Sequence, residues 1–238
     1  MRWLALLFLS SQLFAAPPLY VRAGAGLERT SDTVLRDRDC GSTQPPAFFG
    51  CGLDARGDFG QVPAFEVAIG AGTRTRVELA LAHRQLDLDA TSNFTGVPGE
   101  QHVRADGRSI SAMLSGAVDL APGTWRLRPF ITAGAGVARN STSDIVYSFP
   151  GIGPEAVTIT RGGTHTAFAW KAGVGAAFTL SDTLALDLTF RHSDLGTLRS
   201  PRGTATIIRP NRTLELDIDE TRAEIEMRGI MLSLRWTR

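Results

Sequence analysis

The chain has 238 residues, 43% apolar and 21% charged, with 25 Lys+Arg against 24 Asp+Glu for a net charge of +1. Such a composition supports a single folded domain, excludes a disordered chain and carries no basic footprint for nucleic acid. Beyond the N-terminus no apolar run reaches the roughly 18 residues that a membrane-crossing helix needs, so a helical membrane protein is also excluded.

Residues 1–16, MRWLALLFLSSQLFAA, read as a secretory signal peptide. Arg2 is a short positive region, Trp3 to Leu9 an apolar one, and Ala15-Ala16 a small-residue cleavage zone. The mature domain is then 17–238, and loss of Arg2 leaves cations and anions in balance. Export gives meaning to Cys40 and Cys51, which bracket GSTQPPAFFG. In an oxidising compartment the two are expected to form a disulfide, and closing so short a loop contributes roughly 2–3 kcal/mol in the chain-entropy account.

No helical period of useful length follows residue 17. Period-2 alternation recurs eight times, over 20–28, 64–72, 75–86, 108–120, 125–138, 166–180, 184–194 and 224–237. Long connections alternate with three tight turns at Gly72-Thr73-Arg74, Ala121-Pro122-Gly123-Thr124 and Ser181-Asp182-Thr183. An even strand count with one rim of short turns and one of long loops predicts an all-β, eight-stranded, antiparallel up-and-down transmembrane barrel.

A soluble barrel would alternate too, with its apolar set inward. Side-chain volume separates the two. One parity is bulky: Leu, Ile, Val, Phe and Trp. The other mixes charges with Gly, Ala and Ser, which suits a lumen barely wide enough for side chains. Gly24, Gly26, Gly134, Gly136, Gly173 and Gly175 fall on this second parity and leave room for long arginines. Unpaired charges there would be costly. Glu66, Glu78, Asp119 and Asp187 are therefore expected to pair with Arg22, Arg76, Arg128, Lys171 and Arg191, plugging the lumen. Trp125, Phe178 and Trp236 share the apolar parity at the short-turn end of their strands, and Phe168, Trp170 and Phe190 at the other, as two aromatic girdles would. Pro129 is expected at a bulge or near a strand start. Glu226 and Arg228 fall on the lipid parity of the last strand, and a bulge near Gly229 would turn them inward.

RPFITAGAG (128–136), FAWKAGVGAAFTLS (168–181), LALDLTFRHSDLG (184–196) and YVRAGAGLE (20–28) resemble the strand texts of the small outer-membrane β-barrel family, which includes the OmpA-type transmembrane domain and the OmpW- and Opa-like surface proteins. The resemblance covers the strands and turns of the mature chain and implies the outer membrane of a Gram-negative cell. It implies lipid and lipopolysaccharide as surroundings and the outer-membrane assembly machinery as a partner. Gly229, Leu232, Leu234 and Trp236 approximate the family's C-terminal insertion signal, although Thr237-Arg238 follow the aromatic residue.

Barrels of this size include lipid A deacylases, and His192-Ser193-Asp194 invites the comparison. Neighbours on a strand point to opposite faces, so His192 and Ser193 are expected on different sides of the wall, beyond reach of one another. His83, His102 and His165 lack metal spacing. Gly24-Ala25-Gly26 and Gly134-Ala135-Gly136 lack the third glycine and the helix of a dinucleotide site. Asn93, Asn140 and Asn211 open Asn-x-Ser/Thr triplets that read as loop composition. No catalytic, metal or cofactor site is expected. In the loops, Phe48-Phe49 offers a binding tip or packs against neighbouring loops. The segment 199–220 carries Arg199, Arg202, Arg209 and Arg212, placed either to meet lipopolysaccharide phosphates or to form a β-extension. The function expected is structural or surface-interactive, with adhesion or binding of a host or lipid partner. The alternative is a narrow pore or transporter for small hydrophobic molecules, and lipid A modification comes third.

Overall fold

The computed structural model describes residues 17–37, 55–92, 97–122 and 124–238. The expected signal peptide, Cys40, Cys51 and Phe48-Phe49 lie outside the described residues. Eight long strands form the wall: β1 (Leu19–Thr30), β4 (Gln61–Gly72), β5 (Thr75–Ser92), β6 (Gln101–Asp119), β7 (Leu127–Thr142), β10 (Thr164–Thr179), β11 (Leu184–Ser200) and β14 (Thr221–Thr237). Each pairs antiparallel with its neighbour in this order, and β1 pairs with β14 to close the ring. Closure leaves no unpaired edge, which a wall facing lipid requires.

Among the described residues six short strands rise from the long connections: β2 (Thr33–Asp37), β3 (Ala55–Asp58), β8 (Ile145–Ser148), β9 (Val157–Thr160), β12 (Gly203–Arg209) and β13 (Arg212–Ile218). They pair with one another and with the far ends of β5, β6 and β14, continuing the sheet past the ring. The segment 199–220 is thus a β-extension, with β12 joined to both β9 and β13.

Outside the ring lies a belt of exposed apolar side chains, among them Val67, Ile69, Leu79, Leu114, Val174, Leu188 and Leu232. Phe168, Trp170 and Phe190 mark its long-loop edge, and Trp125, Phe178 and Trp236 its short-turn edge. Phe168 to Phe178 measures roughly 33 Å along β10 at about 3.3 Å per residue. At the usual tilt of about 35–45° this covers about 25 Å, the height of an outer-membrane apolar band.

Past the belt the wall inverts. On β5, Val77, Leu79 and Leu81 face out, whereas Leu86, Leu88 and Ala90 are buried inside and Asp87 and Asp89 are exposed. On β6 the outward set begins at Ile110, and Val103 and Ala105 are inward. On β14, Ile230, Leu232, Leu234 and Trp236 face out, while Ala223, Ile225 and Met227 are inside. The strand phase never breaks on these three; the solvent changes from lipid to water and the apolar set changes face with it. No bulge near Gly229 turns Glu226 and Arg228 inward. Gly229 stands in unbroken register with Glu28 and Arg191, and Glu226 and Arg228 keep the outward parity because water meets them there. The inversion also explains why the strands run past their predicted ends, since an apolar stripe traced along one face stops where the belt stops.

A register shift does occur on β11, between Asp194 and Thr197. Pro129 is the third residue of β7, and its carbonyl accepts from Leu120 N–H at 2.8 Å where β6 ends. Its missing N–H thus falls beyond the ladder.

Candidate functional site: the lumen and the outer extension

Three tiers fill the lumen. Nearest the short-turn rim, Arg235 holds Asp187 with two bonds, Nε to Oδ2 at 3.0 Å and Nη2 to Oδ1 at 3.1 Å. Beside it, Arg76 reaches Asp119 at 2.8 Å and Arg128 reaches the same carboxylate at 3.4 Å. Arg76 also lies over the Phe130 ring, 5.0 Å from its centroid. The middle tier is centred on Glu66. It meets Arg22 at 2.7 Å, Arg191 at 2.6 Å and Lys171 at 3.2 Å. Arg22 bonds Glu78 as well, and Glu78 accepts from Tyr20 Oη at 3.2 Å. The third tier is Glu28, held by Arg84 and by Arg191 Nε at 2.7 Å.

These residues come from β1, β4, β5, β6, β7, β10, β11 and β14, so closure of the ring is what brings them together. The glycines make the space. A Cβ on Gly175 would meet the Phe130 ring, and one on Gly173 would crowd Arg191. All nine charged residues singled out in the sequence point inward and take part. Glu28, Arg84 and Arg235 were missed, although each shares the lumen parity of its strand. Their signal was present; their partners lie across the barrel, where strand parity gives no distance.

Above the charges the interior turns apolar. Leu35, Val62, Leu86, Val103, Ile145, Tyr147, Leu195, Ile225 and Met227 pack as one cluster, all essentially buried. Between charges and apolar cluster stands Asn140, 1% exposed, which accepts from Ser109 Oγ at 2.7 Å and donates to the carbonyls of Leu195 and Thr197. The triplet read as loop composition therefore begins inside β7, and its asparagine holds the β11 bulge.

His192 lies on the outer face, its ring 5.2 Å from that of Trp170, while Ser193 is fully buried inside. Trp170 Nε1 donates to Asp194 Oδ2 at 3.2 Å on the same outer face as His192. The two potential catalytic partners are thus on opposite sides of the wall. His83 is on the outer face of β5, His102 and His165 on the extension, and no group of three or more potential metal ligands forms among the described residues.

A sequence profile described as "Outer membrane protein beta-barrel domain" matches residues 3–217. The chain belongs to this family. The apolar belt is accordingly the part that crosses the cell outer membrane, the short turns face the periplasm, and the β-extension is extracellular. No curated protein matches the chain. Among solved structures, the outer membrane protease OmpT of Escherichia coli is 8% identical with a TM-score of 0.54, over 93% of this chain and 97% of that one. Neisserial surface protein A is 13% identical with a TM-score of 0.44, over 92% and 97%. Ail, the attachment invasion locus protein of Yersinia pestis, solved with the heparin analogue sucrose octasulfate, is 10% identical with a TM-score of 0.34, over 92% and 99%. At these identities the likeness is one of fold.

Proposed function

We propose that the protein is a non-conducting, non-enzymatic outer-membrane barrel whose extracellular β-extension is its working surface. The observation that supports this reading is a lumen filled twice, by the charge tiers inside the belt and by the apolar cluster above them. Sheet built far past the membrane edge, as on β6 from Ile110 back to Gln101, adds roughly 30 Å of strand at about 3.3 Å per residue, more than membrane anchoring requires. Outward arginines at its foot, Arg29, Arg108, Arg139 and Arg228, are exposed immediately above the belt. Their bidentate geometry suits lipopolysaccharide phosphates. Opposite placement of His192 and Ser193 speaks against a nucleophile–base pair.

Reconstitution in planar bilayers tests the reading. The expected record is a flat baseline with rare small events; steady openings would transfer the function to a pore. Incubation with purified lipid A is expected to leave its acyl chains intact, and deacylation lost in His192→Ala would establish an enzyme instead.

A further inference from the structure

The lumen holds more cations than carboxylates. Among the described residues, Arg22, Arg76, Arg84, Arg128, Lys171, Arg191 and Arg235 face Glu28, Glu66, Glu78, Asp119 and Asp187, an excess of two positive charges. Every carboxylate is already engaged, Glu66 by three cations and Asp187 by a two-bond arginine. Two guanidinium nitrogens, Arg76 Nη1 and Arg191 Nη2, are buried without an acceptor, and their side chains are 3% and 4% exposed. Uncompensated buried charge of this kind costs several kcal/mol unless something neutralises it.

Both arginines line one internal cavity of about 40 Å³, together with Lys171, Arg235 and the small side chains of Ala117 and Thr132. One ordered water needs about 10–15 Å³ of such space, so the cavity admits a small sphere with a water or two. A sugar or a nucleotide does not fit. The unmatched N–H groups call for an acceptor, the charge excess favours a negative one, and the carboxylates in the lining disfavour a doubly charged one. A mouth of about 230 Å³ at the periplasmic rim, lined by Arg74, Arg128 and Arg235 with Asp119 and Asp182, shares Arg235 with the cavity. The apolar cluster closes the opposite end. We infer that the lumen contains a binding site for a small monovalent anion of the halide class, reached from the periplasmic side, between Arg76 and Arg191. The bound anion adds to the plug by supplying one of the two counter-charges that the described residues lack.

The test uses purified full-length protein in zwitterionic detergent. Chloride replaces gluconate at fixed ionic strength over about a hundredfold range, and the thermal midpoint is recorded. The expected result is a midpoint that is flat below the dissociation constant and rises by about 3–5 °C per tenfold chloride above it. Ala117→Asp places a fixed carboxylate in the same lining and is expected to keep the high midpoint while losing its chloride dependence. Crystals soaked in bromide are expected to show an anomalous peak between Arg76 and Arg191. Equal midpoints in chloride and gluconate, undiminished chloride dependence in a folded Ala117→Asp, or bromide found at exposed arginines with water in the cavity would each overturn the site. Should Ala117→Asp fail to fold, the bromide map of the unaltered protein decides alone.

Discussion

Arg29 on β1 stands directly across from Arg228 on β14, two steps above the lipid-facing pair Leu27 and Ile230. Both arginines point outward, both are exposed, and neither forms an ion pair among the described residues. Like charges directly opposed on one face of a sheet repel one another, so the pair weakens the barrel in isolation. If lipopolysaccharide phosphates meet the foot of the extension as proposed, a phosphate between the two guanidinium groups would turn repulsion into a bridge. Arg228→Gln is therefore expected to raise stability in zwitterionic detergent by about 0.2–1 kcal/mol. The same variant is expected to lose most of the added stability that lipopolysaccharide gives the unaltered protein. Thermal midpoints with and without lipopolysaccharide check both arms.

Glu66 is the carboxylate on which the middle tier depends. Arg22, Lys171 and Arg191 converge on it from three other strands. Glu66→Gln takes the carboxylate from Lys171 and leaves Arg22 with Glu78 and Arg191 with Glu28, in a space water barely reaches, and a loss of about 3–5 kcal/mol is expected. Removing a cation together with the acid restores part of the balance. Glu66→Gln/Lys171→Met is thus expected to be more stable than Glu66→Gln alone, a non-additivity that denaturation of the barrel refolded in liposomes would measure.

The β11 bulge depends on Gly196, whose φ of 71° lies in the left-handed region. Its N–H bonds Asp194 Oδ1 at 2.8 Å, and a Cβ there would press on Ala167. The bulge lets Leu195 and Leu198, three positions apart, both turn into the apolar cluster. Gly196→Ala is expected to cost about 1–2 kcal/mol through backbone strain alone. Asn140→Ala frees the same carbonyls from their donor, so the double variant is expected to lose less than the two single losses added together. Hydrogen exchange should show the effect in the extension before the membrane belt.

His165, at the foot of the extension on β10, has its pKa held below the ordinary 6.5, first by partial burial and then by Arg199, with Arg222 adding and Glu220 opposing. The folded protein therefore binds this proton more weakly than the unfolded chain does. Its contribution to stability is full above about 6.5 and is lost as the pH falls through that value toward the folded pKa. An NMR titration is expected to place the His165 midpoint below 6.5, and Arg199→Gln is expected to move it upward.

Strand existence, strand parity and the short-turn rim were legible because they are local. A side chain on a strand alternates faces whatever its partner is, and bulky apolar residues against small and charged ones declare which face meets lipid. Nine of the charges in the lumen were found from that parity. Strand length beyond the belt was not legible, because Leu86 and Leu88 on β5, like Ile225 on β14, carry the apolar signal on the opposite parity from Leu79 and Leu232. Along the chain such a switch reads as the end of a strand or as a bulge. In space it is one unbroken strand leaving one solvent for another.

Tertiary structure alone decided who meets whom. Glu28 touches Arg191 only because the ring closes through β14, and it meets Arg84, two strands away across β4, because the registers set their heights. Asn140 becomes a buried clamp only because β11 bulges opposite it. Alternation is fixed by the geometry of one residue and the next, whereas contacts across a lumen depend on closure and stagger, which belong to the whole sheet.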